Sequence, residues 1–242
     1  MREGPDITRI GTLIGDAARA NMLAALMSGL ALSAGELARE AGITPQTASA
    51  HIARLTEAGL VVIEVQGRHR YARLAGPDVA SVLESLMELA ARTGRLRTRP
   101  GPRDAAMRQA RVCYDHMAGA AGVQMYDTLV GRGWFLASAE GLDLSAQGHA
   151  ELLAQGVDVA ALKKKSRPLC RTCLDWSERR SHLAGSVGAA LLQSVLQRGW
   201  AARDEFGRSL RFSATGQAAF LAWLAGEQPE QRVAPAPRVG VL

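Results

Sequence analysis

The chain has 242 residues, is 48% hydrophobic and carries a formal net charge of +6. No run approaches the roughly 18 apolar residues of a membrane span, and the first residues lack the apolar core of a signal peptide, so we expect a cytoplasmic protein. Three cysteines are an odd number, which fits a reducing compartment better than a disulfide framework. The basic composition suits a polyanionic partner such as nucleic acid.

The composition shifts along the chain predict four segments. A stretch rich in Pro, Gly and Arg separates two bodies with helical patterns, and a Pro-containing stretch that we expect to be disordered follows the second body. The segments are 1–93, the linker 94–105, the second body 106–226 and the tail 227–242.

The first segment carries clear helix-capping signals. Ser33 and Glu36 have capping-box spacing, in which hydroxyl and carboxylate satisfy each other's free backbone N–H groups. Thr44 and Pro45 start a further helix, with the threonine as N-cap and the proline where no N–H is needed. The predicted order is a helix over 7–13, a helix after Asp16, a helix from Ser33 to Gly42, a helix from 45 to near 59, a β-hairpin over 60–75 and a helix over 78–92.

Three stretches in this segment resemble the DNA-binding core of the ArsR/SmtB family of winged helix-turn-helix regulators. They read DAARANMLAAL, AGELAREAGITPQTASAHIARLTEAGLV and GRHRYARLA, and the resemblance covers about residues 7–92. It implies a homodimer that binds a two-fold-related operator in double-stranded DNA, mostly as a repressor. It also implies a dimer seam that includes the last helix, here through Val79, Val82, Leu86 and Leu89.

The metal sites known in that family are not repeated in this segment. One family site uses cysteines in the helix before the turn, and that helix reads SAGELAREAG here, without cysteine. Another uses paired Asp and His in the last helix, which offers Asp78, Glu84 and Glu88 but no histidine. We therefore expect effector sensing, if present, in the second body.

The helix that starts at Pro45 is the predicted recognition helix. Its first turns and outward face are polar, and such a face meets base edges in the major groove, while the hairpin tip is basic and suits phosphates or a minor groove. A solvated hairpin tip is the alternative interpretation of the wing residues. The predicted DNA-binding residues are Thr44, Gln46, Thr47, Ser49, Ala50, His51, Arg54, Arg68, His69 and Arg70.

The second body contains an internal repeat. Residues 116–134 align without a gap with residues 182–200, and each copy begins with His and ends with Arg-Gly-Trp. Each copy is predicted as helix, Gly-Trp, hairpin and helix, which is a winged-helix-like order without a basic recognition helix. The predicted fold class is mainly α with short β-hairpins: an N-terminal winged helix-turn-helix plus a duplicated winged-helix-like C-terminal domain for sensing or dimerisation.

All three cysteines lie in this body. Cys113, Cys170 and Cys173, with His116 and His182, form a sulfur and nitrogen set that suits zinc or another thiophilic ion. The alternatives are a thiol redox switch, supported by nearby arginines, and a plain structural role in which Cys113 and Cys173 are small core residues on helices. The cofactor is therefore a thiophilic metal ion or none.

The sequence favours a DNA-binding transcriptional regulator, a repressor released by an effector that the C-terminal domain senses. Its expected partners are double-stranded DNA, a second copy of the chain and a small-molecule, metal or oxidant effector, with no membrane. The rival hypothesis is a thiol- or metal-dependent enzyme that uses Cys170 and Cys173, but no βαβ context for a redox CxxC is visible. A protein-binding adaptor that has lost DNA affinity is the third hypothesis.

Overall fold

A computed structural model describes residues 5–93, 104–138, 141–204 and 208–227. The linker prediction falls mostly outside these residues, and the tail prediction does so almost entirely. Within the described part of the chain, no helix is both long enough and apolar enough to span a bilayer.

The N-terminal body has the predicted order of helices followed by a hairpin. Its caps form as the sequence predicts: Ser33 and Glu36 make a complete capping box, and Thr44 accepts a hydrogen bond from Thr47 N. A short strand that the sequence analysis missed joins the edge of the hairpin, giving an antiparallel sheet in the order β1-β3-β2. The elements are α1 (Ile7–Gly15), α2 (Ala17–Leu26), β1 (Leu32–Ser33), α3 (Ala34–Ala41), α4 (Pro45–Glu57), β2 (Val61–Gln66), β3 (His69–Leu74) and α5 (Pro77–Arg92).

The C-terminal body runs twice through the same order of elements. The first repeat contains α6 (Ala105–Gln109), β4 (Arg111–Cys113), β5 (His116–Ala118), α7 (Ala120–Gly131), β6 (Phe135–Ser138), β7 (Gly141–Leu144) and α8 (Ala146–Ala154). The second contains α9 (Val159–Lys163), β8 (Arg171–Asp175), β9 (Arg180–Ala184), α10 (Gly185–Gln197), β10 (Ala201–Arg203), β11 (Leu210–Phe212) and α11 (Ala214–Ala225). Each repeat thus has two hairpins, where one was predicted, and its winged-helix-like nature stays a prediction.

The start of each repeat differs from the prediction. Residues 116–118 and 182–184 are strands, not the first turn of a helix, and Cys113 and Cys173 lie on strands as well. The reason is a glycine at each junction: Gly119 and Gly185 have φ of 80° and 81°, a left-handed conformation that separates the strand from the helix. The helical pattern begins only at these glycines, so the predicted helices start too early in both repeats.

The two repeats interlock about a common core. Helix α7 of the first repeat packs on β9 of the second, and α10 of the second packs on β5 of the first. Trp134, Trp200, Phe220 and Trp223 are buried in this core with tilted or edge-on ring contacts. Such reciprocal packing indicates a pseudo-two-fold arrangement and fixes the two first hairpins, β4–β5 and β8–β9, side by side.

These two hairpins also join the N-terminal body. Cys113, Ala118, Cys173 and Ala184 pack in one apolar cluster with the cores of α2, α3 and α5. Arg208 donates a hydrogen bond of 3.2 Å to Ala24 O at the end of α2. The C-terminal repeats are therefore in direct contact with the helix-turn-helix body rather than tethered at a distance.

Candidate functional site

Helix α4 presents an exposed polar face on the N-terminal body. Thr44, Gln46, Thr47, Ser49, Ala50 and Arg54 are exposed, while Ala48 and Leu55 on the opposite face are fully buried. Ser49 Oγ donates to Pro45 O at 2.9 Å, so its hydroxyl is partly engaged by its own helix. The predicted face is thus exposed to solvent at every one of these positions.

His51 is the exception on this helix. Its ring is half-buried, and Nδ1 lies 3.3 Å from Nη1 of Arg19, a buried side chain of α2. Arg19 also donates to Leu13 O and Thr12 O, which ties α1 and α2 together. The position of His51 therefore points to a role inside the helix-turn-helix, and its contact with DNA stays a prediction.

The wing is a tight hairpin with a basic tip. Gln66 pairs with His69, so the turn consists of Gly67 and Arg68, and Gly67 has the positive φ of 60° that such a turn requires. Arg68, His69 and Arg70 are all exposed. The wing thus presents two guanidinium groups to solvent on the same body as α4.

The second candidate site lies where the first hairpins of the two repeats meet. Strand pairing sets Cys113 directly opposite His116 in β4–β5, and Cys173 directly opposite His182 in β8–β9. Directly opposed residues of an antiparallel pair project their side chains from the same face. Each hairpin thus supplies one sulfur and one imidazole, and the pseudo-two-fold packing brings the two pairs together.

The four donor atoms converge in a buried cluster. One ligand atom from each of Cys113, His116, Cys173 and His182 lies within 4.8 Å of every other, and all four residues are buried. The Nε2 atoms of the two histidines are 3.1 Å apart. A zinc ion with two thiolate and two imidazole ligands in tetrahedral geometry separates its donor atoms by about 3.3 to 3.8 Å, so the observed cluster has nearly the right size for one ion.

Carboxylates lie behind both imidazoles. Asp115 Oδ1 is 3.3 Å from His116 Nδ1, and Asp175 Oδ2 is 3.9 Å from His182 Nδ1, which has no hydrogen-bond partner among the described residues. A carboxylate behind the outer nitrogen is the usual support of a metal-binding histidine, because it orients the ring and leaves Nε2 for the metal. The cluster therefore has outer partners as well as donor atoms.

The electrostatics favour a thiolate inside this cluster. The pKa of the Cys113 thiol is held well below its ordinary value because Cys173, and then both histidines, hydrogen-bond to its sulfur, which outweighs burial. The pKa of Cys173 is raised because its thiol donates to Cys113 and is desolvated. Burial alone would lower the pKa of His116, but Asp115 and Cys113 hydrogen-bond to its ring and raise the pKa to about 10.

A fifth titratable group approaches from the N-terminal body. Glu84 of α5 is buried, and its Oε1 lies 3.8 Å from His116 Nε2. Its Oε2 lies 3.5 Å from Nη1 of Arg171 on β8. Desolvation raises the pKa of the Glu84 carboxyl to about 7. Glu84 was not predicted as a site residue because its own helix contains no histidine; the histidine that it approaches, His116, belongs to the other body.

Cys170 does not join the cluster. It lies before β8, is half-buried and shares a concave surface with Leu142 and Leu144. Burial raises the pKa of its thiol to about 12. Of the five predicted effector residues the structure therefore brings four together, and the CxxC spacing of Cys170 and Cys173 is incidental to the cluster.

A buried ion pair locks the two hairpins to each other. Nη2 of Arg111 on β4 lies 2.8 Å from both carboxylate oxygens of Asp175 on β8, and both side chains are at most 1% exposed. Asp175 also accepts from Gly119 N, Ser177 N and Glu178 N. Desolvation alone would raise the pKa of Asp175, but the charge of Arg111 and hydrogen bonds from Ser177, Arg111 and Glu178 lower it.

The sequence contained a signal for these supporting residues. Residues 111–119 read RVCYDHMAG and residues 171–185 read RTCLDWSERRSHLAG, so Arg, Cys, Asp, His, Ala and Gly recur in order once the extra residues 176–181 are set aside. The repeat thus begins earlier than residue 116. An ungapped alignment could not detect this, because the second hairpin is longer.

Comparison with known proteins places the chain among bacterial regulators. A helix-turn-helix domain family (HTH_20) matches residues 14–64. The chain is 39% identical over 216 residues to the "Uncharacterized HTH-type transcriptional regulator YdfF" of Bacillus subtilis, which covers 89% of this chain and 96% of that protein. It is 37% identical over 90 residues to the HTH-type transcriptional regulator CmtR of Mycobacterium tuberculosis, which covers 37% of this chain and 74% of that protein.

Solved structures also align with the N-terminal part. A solution structure of a homodimeric winged helix-turn-helix DNA-binding domain from Mycobacterium bovis, described as a possible ArsR-family transcriptional regulator, is 25% identical and covers 43% of this chain and 100% of that chain, with a TM-score of 0.33. The likeness to YdfF is the informative one, since it extends far beyond the helix-turn-helix into the C-terminal repeats. The predicted regulator class is confirmed, and the chain belongs to the family of HTH-type transcriptional regulators.

Proposed function

We propose that this regulator is a homodimeric repressor that releases its operator when one thiophilic divalent cation binds to the C-terminal repeats of each chain. The observation that carries the proposal is the convergence of Cys113, His116, Cys173 and His182 within 4.8 Å in a buried cluster. Soft thiolates and imidazoles are the donor set of zinc and related ions, and four such donors in a closed cluster suit a tetrahedral ion.

Operator binding is assigned to α4 and the wing. The exposed polar face from Gln46 to Arg54 has the character of a base-reading surface, and Arg68 and Arg70 suit phosphates. The net charge of +6 favours association with DNA. These residue assignments follow from exposure and side-chain chemistry, and each can be tested by substitution of the residue.

Dimerisation is assigned to α5. Val82, Leu86 and Leu89 are 49%, 40% and 47% exposed and share one side of the helix. Val79, which was also predicted in the seam, is instead buried with Leu83 in the N-terminal core. An exposed apolar stripe on an otherwise packed helix is the usual mark of a protein interface. A second copy of this chain is the proposed occupant, as the family resemblance implies.

Metal binding accounts for the cluster better than a redox switch does. A disulfide between Cys113 and Cys173 would need an S–S distance of about 2.05 Å and would use only the two sulfurs. A disulfide does not explain why two buried Nε2 atoms converge, each on a ring that has a carboxylate behind it. A single metal ion uses all four donors and both carboxylates.

The test uses the full chain, the DNA upstream of its own gene, and zinc or cadmium chloride. We expect one bound ion per chain and a fall in operator affinity of about 5- to 150-fold when the ion is added, the range of ordinary allosteric coupling. Cys113→Ser should weaken binding of the ion and abolish the fall in operator affinity. Cys170→Ser is the matched control and should behave as the wild type, because Cys170 lies outside the cluster.

Three outcomes would contradict the proposal. Wild-type protein that binds no ion at the cluster, or that binds an ion without any change in operator affinity, excludes metal-controlled release. Release by a mild oxidant, with a Cys113–Cys173 disulfide in the peptide mass map and no effect of metal, would establish the redox alternative in its place.

A further inference from the structure

Glu84 stands at the junction of the Cys/His cluster and the DNA-binding body. It belongs to α5, the last helix of the helix-turn-helix body, yet both of its carboxylate oxygens face the C-terminal repeats. The side chain is buried, with 8% of it exposed. A buried carboxylate is costly unless a partner compensates its charge, so its position calls for a cationic partner.

The contacts of Glu84 are loose in this structure. Oε1 is 3.8 Å from His116 Nε2 and Oε2 is 3.5 Å from Arg171 Nη1, both longer than the 2.7–2.9 Å expected of a charge-assisted hydrogen bond. The nearer guanidinium is firmly held elsewhere, since Arg171 donates to Ser81 Oγ and, at 3.1 Å, to Ser85 Oγ. The carboxylate thus has room to take a closer partner.

The repeat symmetry is broken at this point. Arg111 and Arg171 are equivalent in strand register, since they pair with Ala118 and Ala184 respectively. Arg111 binds Asp175 of the other repeat. The equivalent Asp115 is bound by Arg167, and Arg171 donates instead to Ser81 on α5. On one side of the Cys/His cluster the arginine therefore contacts the other repeat, and on the opposite side the equivalent arginine contacts the DNA-binding body.

We propose that Glu84 binds the cation held by the Cys/His cluster and is thereby the residue through which metal occupancy changes the position of α5. This inference rests on the proposed metal-controlled function. The Nε2 atom of His116 is one of the donors, and an ion bound to it lies within reach of Glu84 Oε1 after a shift of under about 1 Å, given carboxylate–zinc distances of about 2.0–2.2 Å. The ion then has five ligands, the four Cys/His donors and the Glu84 carboxylate, and they come from three segments of the chain and two bodies.

The consequence for DNA binding follows from the geometry of α5. Residues two positions apart on a helix lie about 200° apart around its axis, so Val82 and Leu86 lie opposite Glu84. The first two are exposed and belong to the proposed dimer seam, while Glu84 is buried against the cluster. Helix α5 is thus held between the metal site and the seam, and a pull on Glu84 shifts the seam that sets the spacing of the two recognition helices.

The experiment compares wild type, Glu84→Gln and the matched control Glu88→Gln, an exposed residue one turn further along α5. Cadmium and zinc affinities are measured by chelator competition, and operator affinity by fluorescence anisotropy with and without each metal. We expect Glu84→Gln to bind one ion per chain with affinity weakened by at least roughly tenfold, since even the loss of a residue that only supports a ligand costs about 10- to 100-fold. The operator affinity of Glu84→Gln at saturating metal should lie within about twofold of its metal-free value, while Glu88→Gln should respond to metal as the wild type does.

The failures are distinguishable. If the wild type neither binds metal nor responds to it, the proposed function itself is wrong. If the wild type responds and Glu84→Gln, saturated with metal, responds to the same extent, only the role of Glu84 is overturned. Should Glu84→Gln fail to fold, hydrogen exchange of the α5 amides in the wild type decides: metal-induced protection over residues 77–92 is expected, and unchanged exchange there contradicts the inference.

Discussion

The Arg111–Asp175 pair gives a stability prediction that can be worked out from the structure. Replacing Asp175 by Asn keeps the size of the side chain but removes the charge that compensates a guanidinium only 1% exposed. The amide group must also turn its NH2 toward at least one of the donors that Asp175 now accepts from, such as Gly119 N or Ser177 N. Breaking a buried pair by removal of one partner costs about 3–5 kcal/mol.

The matched control is Asp127→Asn. Asp127 pairs with Arg180 on the surface, where the two side chains are 38% and 63% exposed, so solvent screens the pair and its loss should cost less than about 1 kcal/mol. Both variants are compared with the wild type by urea unfolding, with the free energy of unfolding extrapolated to zero urea. The melting temperature of the Asp175→Asn protein should fall by on the order of 10 °C.

A small effect of Asp175→Asn would refute the reasoning. If its free energy of unfolding lies within 1 kcal/mol of the control variant, the pair does not lock the hairpins together. The same result would remove the structural basis for a preformed cluster, since Asp175 lies behind the ring of His182, with Oδ2 3.9 Å from Nδ1. A large loss of stability with retained metal binding after refolding would leave the cluster itself intact.

Three further outcomes are expected. Arg68→Ala with Arg70→Ala should weaken binding to every DNA sequence alike and reduce the slope of log affinity against log salt by about 2, as measured by anisotropy over a salt series; an unchanged slope speaks against phosphate contacts by the wing. Leu86→Glu should shift the protein from dimer to monomer in sedimentation velocity, and a dimer that persists would show that the interface lies elsewhere. Gly188→Ala should destabilise the chain by about 1–3 kcal/mol in thermal unfolding, because the added Cβ would lie 2.5 Å from a backbone carbonyl oxygen; wild-type stability would show that the repeats pack less tightly than described.

The fold of the N-terminal body was predictable because its signals are local. The capping box of Ser33 and Glu36, the Thr44 cap and the glycine turn of the wing each depend on residues a few positions apart, and all form as expected. The strand β1 was missed because two residues paired with a distant hairpin leave no periodicity to detect.

The Cys/His cluster was only partly predictable. Residue chemistry singled out Cys113, His116, Cys173 and His182, but sequence proximity wrongly grouped Cys170 with them, since the two cysteines of the CxxC point to different surroundings. The pairing of each cysteine with a histidine depends on strand register, which is set by hairpins that the helical interpretation had hidden. Glu84 could not be found because its partner lies on another body, and only tertiary packing brings the two together.

X-ray absorption at the zinc edge of the full chain loaded with zinc tests metal binding at the Cys/His cluster most directly. We predict a shell with two sulfur ligands at about 2.3 Å, two imidazole nitrogens at about 2.0–2.1 Å and, if Glu84 binds as proposed, one carboxylate oxygen at about 2.0–2.2 Å. In Cys113→Ser one sulfur should be lost, and in Cys170→Ser none should be. A shell without sulfur, or one that loses sulfur in Cys170→Ser and not in Cys113→Ser, would contradict metal binding by this cluster.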